Sequence, residues 1–173
     1  MQRIATLVLA TAILVTWLVI AGARPVVTIY ELAHRGAAVQ ATEVWTLVTS
    51  QFVHVHRAHM LLNVAHLLLL GWWLEPRLRT ARFASVFLLG GAAAQLGVVL
   101  AGHIATGASQ SVAAIAGAAA PLARTRFQIA SAAFVIVTII GLDLWFAHTI
   151  KLGHAIGFVL GALSNLLGRR ASR

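Results

Sequence analysis

Apolar stretches long enough to cross a lipid bilayer recur along most of this chain of 173 residues. A membrane-spanning helix needs about 20 mostly apolar residues, or somewhat fewer when one end is sunk within protein. Hydrophobic residues make up 60% of the sequence and charged residues only 10%, too apolar a balance for a soluble domain. The sequence predicts an all-α integral membrane protein with six transmembrane helices, at Ile4–Gly22, Ala58–Leu74, Phe83–Gly102, Ala108–Ala123, Ile129–Ala147 and Ile150–Leu167.

One long connection, Ala23–Arg57, separates the first two predicted helices. We expect its segments Val26–Tyr30 and Val44–Phe52 to lie in the membrane interface, where Trp and Tyr are favoured. The first apolar run exceeds the ~7–15 residues of a signal peptide, so we expect it to be a retained helix. The sequence has no internal repeat and no low-complexity tract, which predicts a single domain over residues 1–173.

The basic residues predict the orientation of the bundle, because Lys and Arg in short loops tend to stay in the cytoplasm. With both termini inside, nine basic residues are cytoplasmic and four lie outside. This topological role accounts for the net charge of +9 without a nucleic-acid partner. The inner set is Arg3, Arg77, Arg79, Arg82, Arg124, Arg126, Arg169, Arg170 and Arg173, and the outer set is Arg24, Arg35, Arg57 and Lys151.

Polar residues gather at the outer ends of the second, fourth and sixth predicted helices. Since polar groups are costly among lipid tails, intramembrane polar residues are functional candidates by default. Three helices well separated in sequence would thus present hydrogen-bonding groups in one layer, open to the outer face. The residues are His54, His56, His59 and Asn63 on the second helix, Ser109, Gln110 and Ser111 on the fourth, and His154 on the sixth.

His59 and Asn63 are four residues apart, so they share one face of a helix. Both side chains carry N–H donors that could stabilise a negatively charged oxygen, as an oxyanion hole requires. The alternative is that they bridge helices by hydrogen bonding, together with His66.

Small residues on the fourth and sixth helices predict that these two helices pack closely. Such packing would bring the Ser109 hydroxyl within reach of the His154 imidazole, which is the nucleophile and base arrangement of acyl transfer. The fourth helix is short, and its exposed N–H groups and dipole would favour an oxyanion. The small stripes are Ser109, Ala113, Ala116, Gly117 and Ala120 on one helix and Gly153, Gly157 and Gly161 on the other.

Two acidic residues are predicted to lie outside this site. Asp143, eleven residues before His154, is expected to act as an interfacial cap or pair near Trp145 and Lys151, which leaves a Ser-His dyad without an acid. Glu75 is expected to form a surface pair with Arg77 at the inner end of the second helix.

Several ordered motifs between Glu43 and Gly161 resemble those of the rhomboid intramembrane serine proteases. Gly107-Ala108-Ser109 is similar to the family's G-x-S site, and the segment from Gly153-His154 to Gly161 is similar to its H-x-x-G-x-x-x-G motif. The first half of the resemblance is carried by Glu43-Val44-Trp45-Thr46-Leu47-Val48-Thr49, His54, His59, Asn63 and Glu75-Pro76-Arg77-Leu78.

The resemblance implies that Ser109 is the nucleophile and His154 the general base and acid, with His59, Asn63 and the Ser109 N–H stabilising the oxyanion. His54 would correspond to a histidine near the mouth of the site. The implied reaction is hydrolysis of peptide bonds in or beside transmembrane segments of membrane-protein substrates, through an acyl-enzyme and without a cofactor or metal. The expected location is a bacterial plasma membrane, with the site opening to the extracytoplasmic side. The sequence does not indicate an oligomeric state.

Three positions depart from the family pattern. Gln110 follows the serine where the family has Gly, Ala113 replaces an aromatic residue that stacks on the base, and Thr46 follows Trp45 where Arg is typical. The first two departures favour an alternative function, a catalytically inactive rhomboid-like protein that binds transmembrane helices of client proteins. A third interpretation takes four histidines as metal or haem ligands, namely His54, His59, His66 and His154.

Overall fold

The computed structural model of the protein describes residues 3–23, 44–103 and 106–170. Six long helices account for most of this part of the chain, and it contains no strand. The predicted interfacial segment Val26–Tyr30, together with Arg24, Arg35 and Arg173, lies outside the described residues. The long helices are α1 (Ile4–Ala23), α2 (Arg57–Leu78), α3 (Thr80–Leu100), α4 (Ser109–Ala119), α5 (Arg126–Ala147) and α6 (Leu152–Arg170).

Each observed helix overlaps its predicted counterpart. The helix bounds differ mainly at polar ends, because apolar runs do not include the polar residues there. Helix α2 runs beyond Leu74 to Leu78, and Arg79, with a φ of 69°, separates it from α3 by one residue. A capping box formed by Thr125 and Gln128 starts α5 at Arg126. The predicted interfacial segment 44–52 contains a short α-helix, Thr46–Thr49, and a 3₁₀ turn, Ser50–Phe52.

Contacts between helix ends show that α3 runs in the direction opposite to α2, α4 and α6. At one end of the bundle, an Arg82 guanidinium N–H donates to the Ser164 carbonyl at 2.7 Å, and one of Arg77 donates to the Leu122 carbonyl at 3.2 Å. The start of α3 and the ends of α2, α4 and α6 therefore lie together. Six crossings require this alternation, while the direction of the bundle in a membrane stays a prediction.

Glu75 is completely buried, so the predicted surface pair with Arg77 is wrong. Its carboxylate accepts hydrogen bonds from the backbone N–H groups of Ala5 and Thr6, at 2.9 and 2.8 Å, and from the Thr6 hydroxyl at 2.7 Å. The first N–H groups of a helix have no partner within the helix, and a negative charge there is favourable. Glu75 thus joins the N-terminus of α1 to the last turn of α2.

Helix α4 lies at the centre of the bundle and touches α6 backbone to backbone. A Cβ added to Gly161 would collide with the Ala114 carbonyl, and one added to Gly117 would collide with the Phe158 carbonyl. Glycines at these two places are therefore needed for the approach of the helices. The close packing that the small stripes predict is present over the length of α4.

Helix α5 lies at the edge of the bundle and is held by a few polar contacts. The Trp73 indole N–H donates to the Ser131 hydroxyl at 3.0 Å near its start. Asp143 makes the contacts at its other end, described below. Within the described residues, α3 and α5 are long and apolar enough by themselves to cross a membrane, and Ile4–Ile20 and Leu152–Leu166 are shorter apolar helical stretches.

Candidate active site

The turn that leads into Ser109 is fixed by two hydrogen bonds that its backbone N–H groups donate. Gly107 has a φ of +92°, a conformation that residues with a side chain rarely adopt, and its N–H donates to the Ser50 carbonyl at 3.0 Å. The Ala108 N–H donates to Nε2 of His54 at 3.1 Å. These contacts set the position at which α4 begins, with Ser109 as its first residue.

His54 lies beneath this turn rather than at an open mouth, since its side chain is 1% exposed. Its Nδ1 faces the Phe52 carbonyl at 3.3 Å, while Nε2 is 3.2 Å from the Asn63 amide nitrogen in addition to the Ala108 N–H. Burial lowers the pKa of His54 from 6.5 to about 4. The ring is therefore neutral at pH 7, with the proton on Nδ1 and Nε2 accepting both bonds.

The two predicted oxyanion donors lie beside the same turn. The His59 ring packs edge-on against His54 with 5.2 Å between centroids, and a Cβ on Gly107 would be 2.9 Å from His59 Cε1. Asn63 is 3% exposed and uses one amide N–H for His54, so its second N–H is left for another acceptor. The structure thus brings His59 and Asn63 to the start of α4, where their role as oxyanion donors stays a prediction.

Ser109 and His154 are carried by the first turns of α4 and α6. A Cβ on Gly153 would be 2.6 Å from the Gln110 amide nitrogen, and one on Gly157 would be 2.5 Å from the Gln110 carbonyl oxygen. Gln110, the residue after the serine, therefore packs against α6 at the positions one residue before and three residues after His154. Ser109 is half-buried, and its hydroxyl forms no hydrogen bond with any other residue that the structure describes.

Asp143 contacts His154 directly, a contact that the sequence does not predict, while the Ser-His dyad stays a prediction. The distance from Asp143 Oδ2 to His154 Nδ1 is 2.7 Å. The predicted cap near Lys151 is also present, because the Lys151 backbone N–H donates to the same oxygen at 2.9 Å. Asp143 is 1% exposed.

An apolar cavity of about 240 Å³ adjoins His154 between α4, α5 and α6. Ala113 and Ala116 form its wall on α4, and Ile139 and Phe158 lie on the other two helices. The space lies one turn below Ser109, at the position where Ala113 replaces an aromatic side chain of the family pattern. The small residue therefore leaves one side of the imidazole next to a cavity.

A family model described as the Rhomboid domain matches residues 41–171 of the chain. The chain belongs to the rhomboid family. Searches of curated proteins and of solved structures gave no significant match. Rhomboid membership and the apolar helices together make this a membrane protein, related to the family of serine proteases.

In this rhomboid protein the side chain of Gln110 lies where the family has glycine. Gln110 is 5% exposed, and its Oε1 is buried without a hydrogen-bond partner among the described residues. Its amide nitrogen lies against Gly153 and the carbonyl side of its backbone against Gly157. The glutamine side chain is accommodated because α6 offers glycine on the facing turn.

The four histidines of the metal interpretation are divided between two places in the rhomboid bundle. His66 lies against Phe134 of α5, with 5.8 Å between ring centroids, and its Nε2 is buried without a partner in the part of the chain described. No group of three or more His, Cys, Asp or Glu residues that could hold a metal ion occurs among the described residues.

The sequence does not predict a buried hydrogen bond near the serine, which joins Ser111 to Gln51. The Ser111 hydroxyl donates to Gln51 Oε1 at 2.6 Å, and the Gln51 amide donates to the Leu47 and Leu88 carbonyls at 2.9 and 3.0 Å. Gly91 leaves the room for this pair. Gln51 precedes α2 by several residues and has no periodic or motif context, so the sequence offers no signal for its partner.

Proposed function

We propose that the protein is an intramembrane serine protease that hydrolyses peptide bonds in or beside transmembrane segments of membrane-protein substrates. The observation that carries the proposal is the contact between the first turns of α4 and α6, where Gln110 packs on both sides of His154. This contact supports placing a serine hydroxyl and an imidazole at the same level of the bundle. The rhomboid match supports the same pairing.

In the proposed reaction, the Ser109 hydroxyl attacks the carbonyl carbon of the scissile peptide bond and its proton passes to Nε2 of His154. The free N–H groups at the start of α4, the second amide N–H of Asn63 and the His59 ring would stabilise the oxyanion. The leaving amine takes the proton from His154, and water then hydrolyses the acyl-enzyme by the same route. No cofactor or metal takes part in this scheme.

The proposed substrates are membrane proteins, and the lipid bilayer is the medium in which they meet the site. The apolar cavity beside His154 is suited to an apolar side chain of such a substrate. We place the protein in a bacterial plasma membrane with both termini in the cytoplasm and six crossings, so that the site opens to the extracytoplasmic side.

A serine-reactive fluorophosphonate probe tests the nucleophile on the purified full-length chain. We expect the probe to label the wild type and not Ser109→Ala, because the probe forms a covalent bond only with an activated hydroxyl. Ser85→Ala is the matched control, since Ser85 is exposed on α3 and bonds only within its own helix, to the Ala81 carbonyl. Labelling that persists in Ser109→Ala, with Ser85→Ala also labelled, would exclude Ser109 as the nucleophile.

A second candidate function is a rhomboid-like protein that binds transmembrane helices without cleaving them. It is favoured by the Ser109 hydroxyl, which has no hydrogen bond within the described residues, and by the glutamine at position 110. In this case, a membrane client should co-purify intact with the wild type and equally with Ser109→Ala. A client that accumulates intact only with Ser109→Ala would support the protease.

A further inference from the structure

We propose that Asp143 is a positioning residue that orients the imidazole of His154 toward Ser109. The inference rests on the proposed function, because it assigns a task to His154 as the base for Ser109. Its physical content is that the carboxylate holds the imidazole with the proton on Nδ1. Nε2 is then left without a proton and available to accept one from the serine.

The geometry of the pair is that of a short charge-assisted hydrogen bond. Asp143 Oδ2 and His154 Nδ1 are 2.7 Å apart, and the side chains are 1% and 11% exposed. A bond between a buried carboxylate and an imidazole N–H is stronger than a neutral one and fixes which ring nitrogen carries the proton. The ring is therefore held in one orientation by a group that solvent hardly reaches.

The carboxylate is itself oriented by the backbone. The Lys151 N–H donates to Asp143 Oδ2 at 2.9 Å, at the turn that precedes α6. The Lys151 ammonium is 3.8 Å from Oδ1, but its side chain is 56% exposed, so solvent screens that ion pair. Among the described residues, His59 of α2 also interacts electrostatically with His154. Asp143 is thus the buried negative charge beside the imidazole.

A role confined to joining α5 to α6 is the competing explanation. The hydrogen bond from the Lys151 backbone would already make that connection, without help from the imidazole. A joining role leaves the tautomer of His154 without consequence, whereas a positioning role depends on it. The fluorophosphonate labelling rate and the tautomer of His154 therefore distinguish the two explanations.

In the catalytic cycle the carboxylate stays ionised throughout. The bond from Ser109 Oγ to the substrate carbonyl carbon forms while the hydroxyl proton moves to His154 Nε2, which gives an imidazolium next to the Asp143 carboxylate. When the carbon–nitrogen bond breaks, that proton leaves with the amine and the imidazole is neutral again. Asp143 takes up no proton and stabilises the positive ring.

The first test compares fluorophosphonate labelling rates of the full-length wild type, Asp143→Asn and Asp143→Glu in detergent. Asparagine keeps an acceptor for the Lys151 N–H but removes the charge, so we expect the labelling rate to fall by at least about tenfold, with glutamate restoring part of it. The control is Thr138→Val on the same helix, whose hydroxyl bonds to the Phe134 carbonyl and whose loss should leave the rate unchanged. A wild-type rate in folded Asp143→Asn would overturn the inference and leave the proposed function standing.

The second test reads the tautomer by ¹⁵N NMR of protein labelled in histidine, with the His154 signals assigned by their absence in His154→Gln. We expect the wild type to show a protonated Nδ1 and a bare Nε2, and Asp143→Asn to show a mixture of tautomers. This test does not depend on activity. A wild type that does not react with the fluorophosphonate but shows this tautomer shift would refute the protease, and the orienting effect of Asp143 on the His154 ring would remain. Identical spectra for the two proteins would overturn the positioning role itself.

Discussion

His54 shows how one buried side chain can hold two parts of a candidate site together. Its Nε2 accepts the Ala108 N–H and an amide N–H of Asn63, so it joins the turn before the serine to α2. Both bonds require an unprotonated Nε2. The neutral state of a single ring therefore holds together two elements that carry proposed oxyanion donors.

The pH dependence of the free energy of unfolding should reveal the neutral state of the His54 ring. Because the pKa of His54 is lowered from 6.5 to about 4, the unfolded chain binds a proton that the folded chain does not between these two values. The stability contributed by neutral His54 is complete above pH 6.5 and is lost as pH falls toward 4, at about 1.4 kcal/mol per pH unit. Thermal unfolding in detergent between pH 4 and 8 measures this loss.

The variant His54→Gln should flatten the acid limb of that stability profile relative to the wild type, although it lowers stability at neutral pH. His103→Gln, at an exposed position, should keep the wild-type profile. A His54→Gln protein that loses stability with acid as steeply as the wild type would contradict the role of His54.

Asp143 marks what residue patterns could and could not predict. The position of Asp143 at the end of the fifth predicted helix was visible in the sequence, and the cap near Lys151 followed from it. The bond to the imidazole did not follow, because it depends on how α5 and α6 turn about their own axes. His148, with a φ of 54°, ends α5 and sets part of that turn.

At the scale of helices, the approach of α4 to α6 depends on glycines that face backbone. Gly161→Ala should push the helices apart, because the new methyl group would collide with the Ala114 carbonyl and backbone cannot rotate out of the way. We expect a loss of about 1–3 kcal/mol in the free energy of unfolding, with reduced fluorophosphonate labelling. Thermal unfolding in detergent and labelling rate are the measurements.

The matched control for this prediction is Gly141→Ala in α5, where an added Cβ meets nothing within 4 Å. It should match or slightly exceed the wild type in stability, since alanine favours a helix over glycine. Equal stability of Gly161→Ala and Gly141→Ala would show that α4 and α6 do not touch in this way.

The elements themselves were largely predictable from apolar runs and small-residue spacing, whereas buried polar contacts were not. Apolar runs located the six long helices that the structure describes, and the four-residue glycine spacing located the α4 and α6 contact. Glu75 was misplaced because its acceptor role belongs to the N-terminus of α1, about 70 residues earlier. Periodicity reports which face of a helix is apolar and carries no information on such distant partners.

At the scale of the whole molecule, the absence of cysteine from the sequence allows a clean test of topology. Arg126→Cys and His148→Cys place one thiol at each end of α5, both at exposed positions. With the proposed orientation, a membrane-impermeant maleimide should label His148→Cys in intact cells and Arg126→Cys only after permeabilisation. The opposite labelling pattern would show that the bundle has the reverse orientation, with the site on the cytoplasmic side.

The backbone contact between α4 and α6 also bears on how such a protein can diverge. Because Gly117 and Gly161 meet carbonyl groups rather than side chains, the distance between the two helices does not depend on how neighbouring residues are repacked. Substitutions can therefore accumulate on the exposed surface of α5 while the spacing of α4 and α6, on which the proposed reaction depends, is inherited unchanged.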